Sequence, residues 1–560
     1  MIRPVIYQTL PRTFGANSRN NTPGGTKEQN GCGKMNDYTA KVLKAIRDLG
    51  CNYVWYTGLI EHATQTDYSA IGITPDNPTV VKGRAGSPYA IKDYYDIDPD
   101  LAADPTRRQR EFDNLIARTH RAGLKMIIDF VPNHVARQYH SDQKPLGVSD
   151  LGEDDNTTIA FSKHNNFYYM PGETLSTQNF CPDPVVPYLE SPARATGNDC
   201  FSAYPGRCDW YETVKLNYGV DYLHERQQFF YPDIPSTWNK MLDILRYWAT
   251  RGIDGFRCDM AEMVPVEFWA WAIPQVKSEH PGIIFIAEVY NPAQYHDYIF
   301  RGQFDYLYDK VGRYDTLRRV MGGESASLLT QCWQSVEGIS DHMLNFLENH
   351  DEQRIASDFF AADPLKGRPA LLVSALMRNN PFMLYQAQHL GEAGMEAEGF
   401  SGRDGRSTIF DYWTIDSLRR WVNNGRIGTE HLTADEQALH QFYSRVLNLA
   451  NSETALREGL FYDLMYANYD NPLMDTNHQY AFIRKTGKEM VLVVANFEDK
   501  KVETDIRLPR HALQYLEITE GPYFTTELLT GATQTVDVEA DCLVRLTLEP
   551  LCGAILKFER

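Results

Sequence analysis

Three acids each close an apolar run in this chain. Asp259 ends Gly-Phe-Arg-Cys-Asp from Gly255, Glu288 ends Phe-Ile-Ala-Glu from Phe285, and Asp351 ends Asn-Phe-Leu-Glu-Asn-His-Asp from Asn345. Two carboxyl groups about 5 Å apart can break an acetal bond by double displacement, which points to sugars rather than nucleotides or peptides. A lone Asp at a strand end is ordinarily a capping or solvated residue. Arg257 changes that reading for Asp259, because side chains two positions apart on a strand point the same way. A neighbouring guanidinium keeps a carboxylate ionised, as a nucleophile requires. Glu288 is fed into place by the apolar run from Ile283 to Ala287. Partial burial beside another carboxylate raises a pKa, as a proton donor requires.

Acids at the C-terminal ends of successive strands suit a barrel whose active site sits on one rim. The apolar runs supply eight strands: Val5 to Leu10, Asn52 to Tyr56, Lys125 to Val131, Ile253 to Cys258, Ile283 to Ala287, Phe304 to Tyr308, Met343 to Leu347 and Pro381 to Tyr385. Helical patterns such as Asp37 to Leu49 and Gln109 to Ala122 lie between them. This alternation predicts an α/β fold, a (β/α)8 TIM barrel. An open doubly wound sheet is the rival, but no Gly-x-Gly-x-x-Gly follows the first strand to cradle a dinucleotide. The third and fourth strands are far apart, and the Asn-, Pro-, Asp- and Tyr-rich piece between them reads as an inserted subdomain. Residues 1–135 and 218–452 are assigned to the barrel, 136–217 to the insertion, and 453–560 to a C-terminal antiparallel β-sandwich of short strands.

At 560 residues the chain is too long for one core, so two or three domains are expected. A net charge of -19 disfavours nucleic acid or an anionic membrane as partner and leaves a neutral polysaccharide acceptable. No long apolar run follows the N-terminus or appears elsewhere, so the chain reads as a cytoplasmic, soluble protein. Oligomeric state is not legible. Of nine cysteines, Cys181, Cys200 and Cys208 cluster in the insertion, where free thiols are the plainer reading over a disulfide or metal ligands.

The whole chain resembles the alpha-amylase superfamily, glycoside hydrolase family 13. The resemblance rests on four runs in the family's order: Asp129-Phe-Val-Pro-Asn133-His134, Gly255 to Asp259, Glu288, and Asn349-His350-Asp351. It implies Asp259 as nucleophile, Glu288 as general acid/base, and Asp351 as the third acid, which grips sugar hydroxyls. It further implies that His134 and His350 hydrogen-bond the same glucose unit and that Tyr89 is the platform beneath it, and Arg257 is counted with them among the substrate-binding residues. The departures concern calcium. Family members that hold one between barrel and insertion use an Asn matching Asn133, an Asp, and a backbone carbonyl of a His. Here the second run reads Val-Lys215-Leu-Asn217, and Met263 stands where the family has His. An ammonium in place of a carboxylate disables a cation site, so no cofactor or metal is expected to be required.

The resemblance implies retaining cleavage of α-1,4-glucosidic bonds in starch-like glucans or maltooligosaccharides. Transglycosylation and exo-acting α-glucosidase activity, α-1,6 bonds included, share the same motifs. A non-catalytic glucan-binding or transport-associated homologue would have lost the acids, and all three are present.

Overall fold

Alternation within each short apolar run decides which side chains fill the barrel. In β5 (Ile284–Ala287), Ile284 and Ile286 meet Tyr53, Trp55, Ile127 and Leu344 inside the ring. Phe285, between them, packs outward in the layer shared with the helices. The other barrel strands are β1 (Val5–Thr9), β2 (Tyr53–Tyr56), β3 (Lys125–Phe130), β4 (Gly255–Cys258), β6 (Tyr306–Tyr308), β7 (Met343–Phe346) and β8 (Phe382–Tyr385). Each pairs in parallel with its sequence neighbours, and β1 pairs with both β2 and β8, which closes the ring. All eight fall within the expected runs. The computed structural model describes residues 3–487 and 489–560; Met1 and Ile2, at the start of the N-terminal stretch, and Lys488 lie outside them.

Strand register places chemistry on the rim. Arg257 on β4 sits opposite Asp129 on β3, and β4 and β5 end side by side with Cys258 opposite Ala287. The next residue of one is Asp259, and of the other Glu288. A Cβ on Gly255 would lie 2.7 Å from Ile284 Cγ1, so glycine lets β4 start tight against β5.

Two excursions wall that rim. After β2, the ribbon Ile60–His62 pairs antiparallel with Ile91–Ile97. Between β3 and β4, His134–Ala136 pairs with Thr213–Lys215, and Tyr169–Met170 with Ala193–Arg194. Buried Glu190 ties the second excursion together by accepting from Arg137 at 2.7 Å and Arg194 at 2.8 Å. Burial opposes its charge, but the two arginines prevail and hold the carboxyl down at about 2.

The chain ends in antiparallel strands β9 (Leu460–Asp463), β10 (Gln479–Thr486), β11 (Glu489–Asn496), β12 (Val502–Leu508), β13 (Gly521–Glu527), β14 (Thr533–Val538), β15 (Cys542–Leu548) and β16 (Cys552–Glu559). Six form one sheet in the order β9-β10-β11-β16-β13-β14, and β12 pairs with β15. Ile506, Leu508, Val544 and Leu546 of that pair join one core with Leu492, Val494 and Leu556 of the larger sheet. The barrel helix Gly367–Leu376 comes so close that a Cβ on Gly553 would meet Leu372 Cδ1 at 2.6 Å. All nine cysteines are free thiols, those of the insertion included. No helix among the described residues is long and apolar enough to cross a membrane.

Candidate active site

Arg257 is the hub. Its guanidinium is fully buried and donates through Nη1 to Asp259 Oδ1 at 2.7 Å and through Nη2 to Glu288 Oε2 at 2.7 Å. Nε donates to Tyr308 Oη at 3.1 Å, and Nη1 also reaches Asp129 Oδ1 at 3.4 Å. The rings of Trp55, Tyr89 and Tyr308 surround the guanidinium, with centroids 5.2, 5.3 and 5.5 Å away. Such a fork fixes two carboxylates on one side of a planar cation.

The remaining residues converge on the same spot. Tyr89 Oη and His350 Nε2 lie 2.6 Å apart with their rings stacked at 5.2 Å. His350 Nε2 is 3.1 Å from Asp351 Oδ2, and Gln8 Nε2 of β1 holds its Nδ1 at 2.7 Å. His134 Nε2 faces Asp259 Oδ2 at 3.9 Å. Tyr89, His134, Asp259, Glu288 and Asp351 line one cleft of about 300 Å³, with Arg257 and His350 behind them. All seven residues singled out in the sequence are thus brought together.

Individual oxygens have distinct surroundings. Asp259 Oδ1 is taken by Arg257, which leaves Oδ2 toward the cleft. Glu288 Oε2 accepts from Arg257 and from the Met260 N–H at 2.8 Å. Met260 directs that N–H from a left-handed backbone at φ 42°, a conformation costly for a residue with a Cβ. Glu288 Oε1 contacts Tyr290 Oη. That leaves Oε1, which accepts from the Tyr290 hydroxyl, as the oxygen free of Arg257 and Met260.

Burial dominates the protonation states. It raises Asp259 against the pull of Arg257, and it raises Glu288, again opposed by Arg257 but helped by Asp259. Asp351 is raised well above the carboxylate range by burial and then by Glu288. Burial pushes Asp129 up to about 7. One guanidinium faces four carboxyls, so their titrations are coupled and each proton is shared out by the cluster rather than by one residue. Burial, with Lys215 adding to it, lowers His134 to about 3; burial and then Arg257 lower His350 well below its usual value. Both imidazoles are neutral and offer hydrogen bonds, not charge.

Tyr290, Tyr308, Trp55 and Gln8 were not anticipated. Tyr290 had a signal, since it stands two residues after Glu288 and so can share its side. The cleft walls Trp210, Phe400 and Phe410 come from loops whose approach no periodicity announces.

At the barrel–insertion junction, Lys215 Nζ donates to Asn133 Oδ1 at 2.6 Å and pairs with Asp199 Oδ1 at 2.7 Å. Its ammonium lies over the Tyr222 ring at 5.2 Å. Met263 borders the same depression as Asp199 and Tyr222. Elsewhere, Asp475, His478 and Glu498 form one cluster with ligand spacing, and Glu61, Asp93 and Asp96 another. In the second, Asp93 is already engaged by Ser141 and backbone N–H groups, and Asp96 by Arg108. Burial, then Asp96 and Asp93, push Glu61 up to about 10, so it is held as a neutral acid.

The alpha amylase catalytic domain matches residues 8–459, and the alpha amylase C-terminal all-beta domain matches residues 469–559. Neopullulanase 2 of Thermoactinomyces vulgaris is 23% identical across 99% of the chain and 77% of its own length. An alpha-amylase of Streptomyces lividans is 24% identical across 94% of the chain, which spans just over half, 56%, of that relative. Among solved structures, an alpha-amylase of Geobacillus thermoleovorans complexed with acarbose superposes with a TM-score of 0.65 at 18% identity, covering 100% of this chain and 98% of the other. Two family matches that together take in nearly the whole chain, on a closed eight-stranded barrel followed by an antiparallel sheet, place this protein in the alpha-amylase family of glycoside hydrolases, family 13.

Proposed function

We propose that the chain cleaves α-1,4-glucosidic bonds of starch-like glucans or maltooligosaccharides with retention of configuration. The observation that carries this reading is the single guanidinium of Arg257 holding Asp259 and Glu288 at 2.7 Å each. That fork supports the short carboxyl separation, about 5–5.5 Å, of a double displacement rather than the wider gap that admits a water. Asp259 Oδ2 attacks the anomeric carbon while Glu288 gives the proton on Oε1 to the departing glycosidic oxygen. The resulting ester on Asp259 is then displaced by a water whose proton returns to Glu288. Asp351 and His350, with neutral His134 opposite, grip the hydroxyls of the sugar seated on Tyr89. Relatives named for acting on or crystallised with α-glucan-like ligands, acarbose among them, support the substrate class.

One feature favours an end-on, short-chain variant. Lys82 and Glu212, both on the cleft lining, approach to 3.8 Å, and the Lys82 ammonium lies over Phe410 at 4.7 Å. The test is a time course on maltoheptaose. Internal cuts support the amylase reading, single glucose release the exo variant, and products longer than substrate would replace hydrolysis by transfer.

Tyr290→Phe should move the basic limb of the kcat/KM profile to higher pH. The Tyr290 hydroxyl stabilises ionised Glu288, so its loss raises the pKa of the acid, which must be protonated to act. A limb that stays put or moves down contradicts the assignment.

We also propose that the Lys215 ammonium takes the place of the family's calcium. With a cation already on Asn133 and Asp199, these residues do not fit a divalent ion. Prolonged chelation should leave the rate within about twofold. Lys215→Met should instead cost about 2 kcal/mol or more, because buried Asn133 loses its donor and Asp199 its counter-charge. A rate loss on chelation that calcium restores would overturn the claim.

A further inference from the structure

A second concavity, of about 1060 Å³, lies where the barrel meets the C-terminal sheet. One wall is Trp333, Glu337 and Arg378; Glu337 precedes β7 and Arg378 precedes β8, so this wall borders the rim opposite the catalytic one. The other wall comes from β9 and from the helix Arg510–Tyr515. No residue is shared with the catalytic cleft.

Two of its tyrosines are exposed yet held by their neighbours. Tyr466 is 52% exposed and Tyr515 54%. Tyr462 Oη lies 2.6 Å from both Tyr466 Oη and His511 Nδ1, and the Tyr515 ring stacks near-parallel to His511. Tyr462 and Tyr515 are 5.7 Å apart between centroids. Pre-set tyrosine rings give large contact area with little rotamer entropy to lose. Exposed aromatic patches of this kind mark binding surfaces.

The charges around them are consumed internally. Arg378 pairs with Glu337 at 2.6 Å and lies over Trp333 and Phe461. Asp463 accepts from Trp333 Nε1, Thr330 and Tyr480. The groove thus presents flat apolar faces edged by hydroxyl, amide and imidazole groups, with its ion pairs closed. That pattern complements a neutral polyhydroxyl ligand, whose ring faces are apolar and whose edges hydrogen-bond. It does not complement a polyanion, which the net charge of -19 further repels.

We propose that this groove is a second, non-catalytic α-glucan-binding site that tethers long substrate while the cleft cuts. The ligand class rests on the function proposed for the cleft. Holding one polymer at two places raises the effective concentration of the rest of it at the cleft.

The test uses full-length Glu288→Gln protein, which leaves polymer intact, in native gels containing amylose. Adding Tyr466→Ala and Tyr515→Ala should weaken retardation by about fivefold or more. Both tyrosines are more than half exposed, so the fold should survive, and an unchanged thermal midpoint verifies it. In the Glu288-intact enzyme the same pair should leave kcat/KM on maltotriose within about twofold. Retardation unchanged by the pair, or no retardation of any form, overturns the proposal. Groove-dependent retardation in an enzyme that cuts no maltooligosaccharide would uphold the groove and remove the cleft reading alone.

Discussion

Asp259→Asn should lower kcat on maltoheptaose by about 10⁴-fold or more, because the substitution removes the attacking charge of the proposed nucleophile. The amide keeps the shape of the carboxylate, and its carbonyl oxygen can still accept from Arg257 Nη1, now 2.7 Å from Oδ1. Fold and weak glucan binding should therefore persist. The measurement is single-turnover kinetics on protein freed of contaminating amylase. Residual activity above about one per cent would mean that another group attacks, and Asp351 and Glu212, which also line the cleft, would be the next to examine.

Glu288→Gln should be nearly as severe on natural glucans, about 10³-fold, but its effect should depend on the leaving group. A maltosyl unit needs a proton to depart; fluoride or a nitrophenolate does not. The loss on an activated α-glucosyl substrate should thus be much smaller in the first step. The basic limb of the pH profile should also vanish, since the group that titrates there is gone. Equal losses on both substrates would deny Glu288 the role of acid and leave it a structural partner of Arg257 and Met260.

The barrel was legible because its strands are short, apolar and buried on both faces, as with Tyr53–Tyr56 and Phe382–Tyr385. At the two ends of the C-terminal sheet that signal fades. β9 and β14 are its edge strands and went unread; in Thr533–Val538 only Val536 and Val538 are buried, so polar side chains outnumber the apolar ones. The site divides the same way. Residues carried on strand ends, such as Arg257 and Asp259, could be read from period-2 geometry. Lys215 could be read too, from the family's run, where Val-Lys-Leu-Asn stands for an Asp-containing one, and its short strand pairs with the one that starts at His134. Trp210, Phe400 and Lys82 could not, since long loops are placed by tertiary contacts rather than by local pattern. Gln8 looks like an ordinary strand polar residue until the closed ring brings β1 next to the rim and its amide to His350.

The most direct test of the double displacement is the anomeric configuration of fresh product. Proton NMR in the first minutes of maltoheptaose cleavage, before mutarotation, should show the new reducing end as the α anomer. Two displacements, by Asp259 and then by water, restore the starting configuration. A β anomer at the earliest times would mean a single displacement by water, and would contradict Asp259 as nucleophile and Glu288 as its acid/base partner.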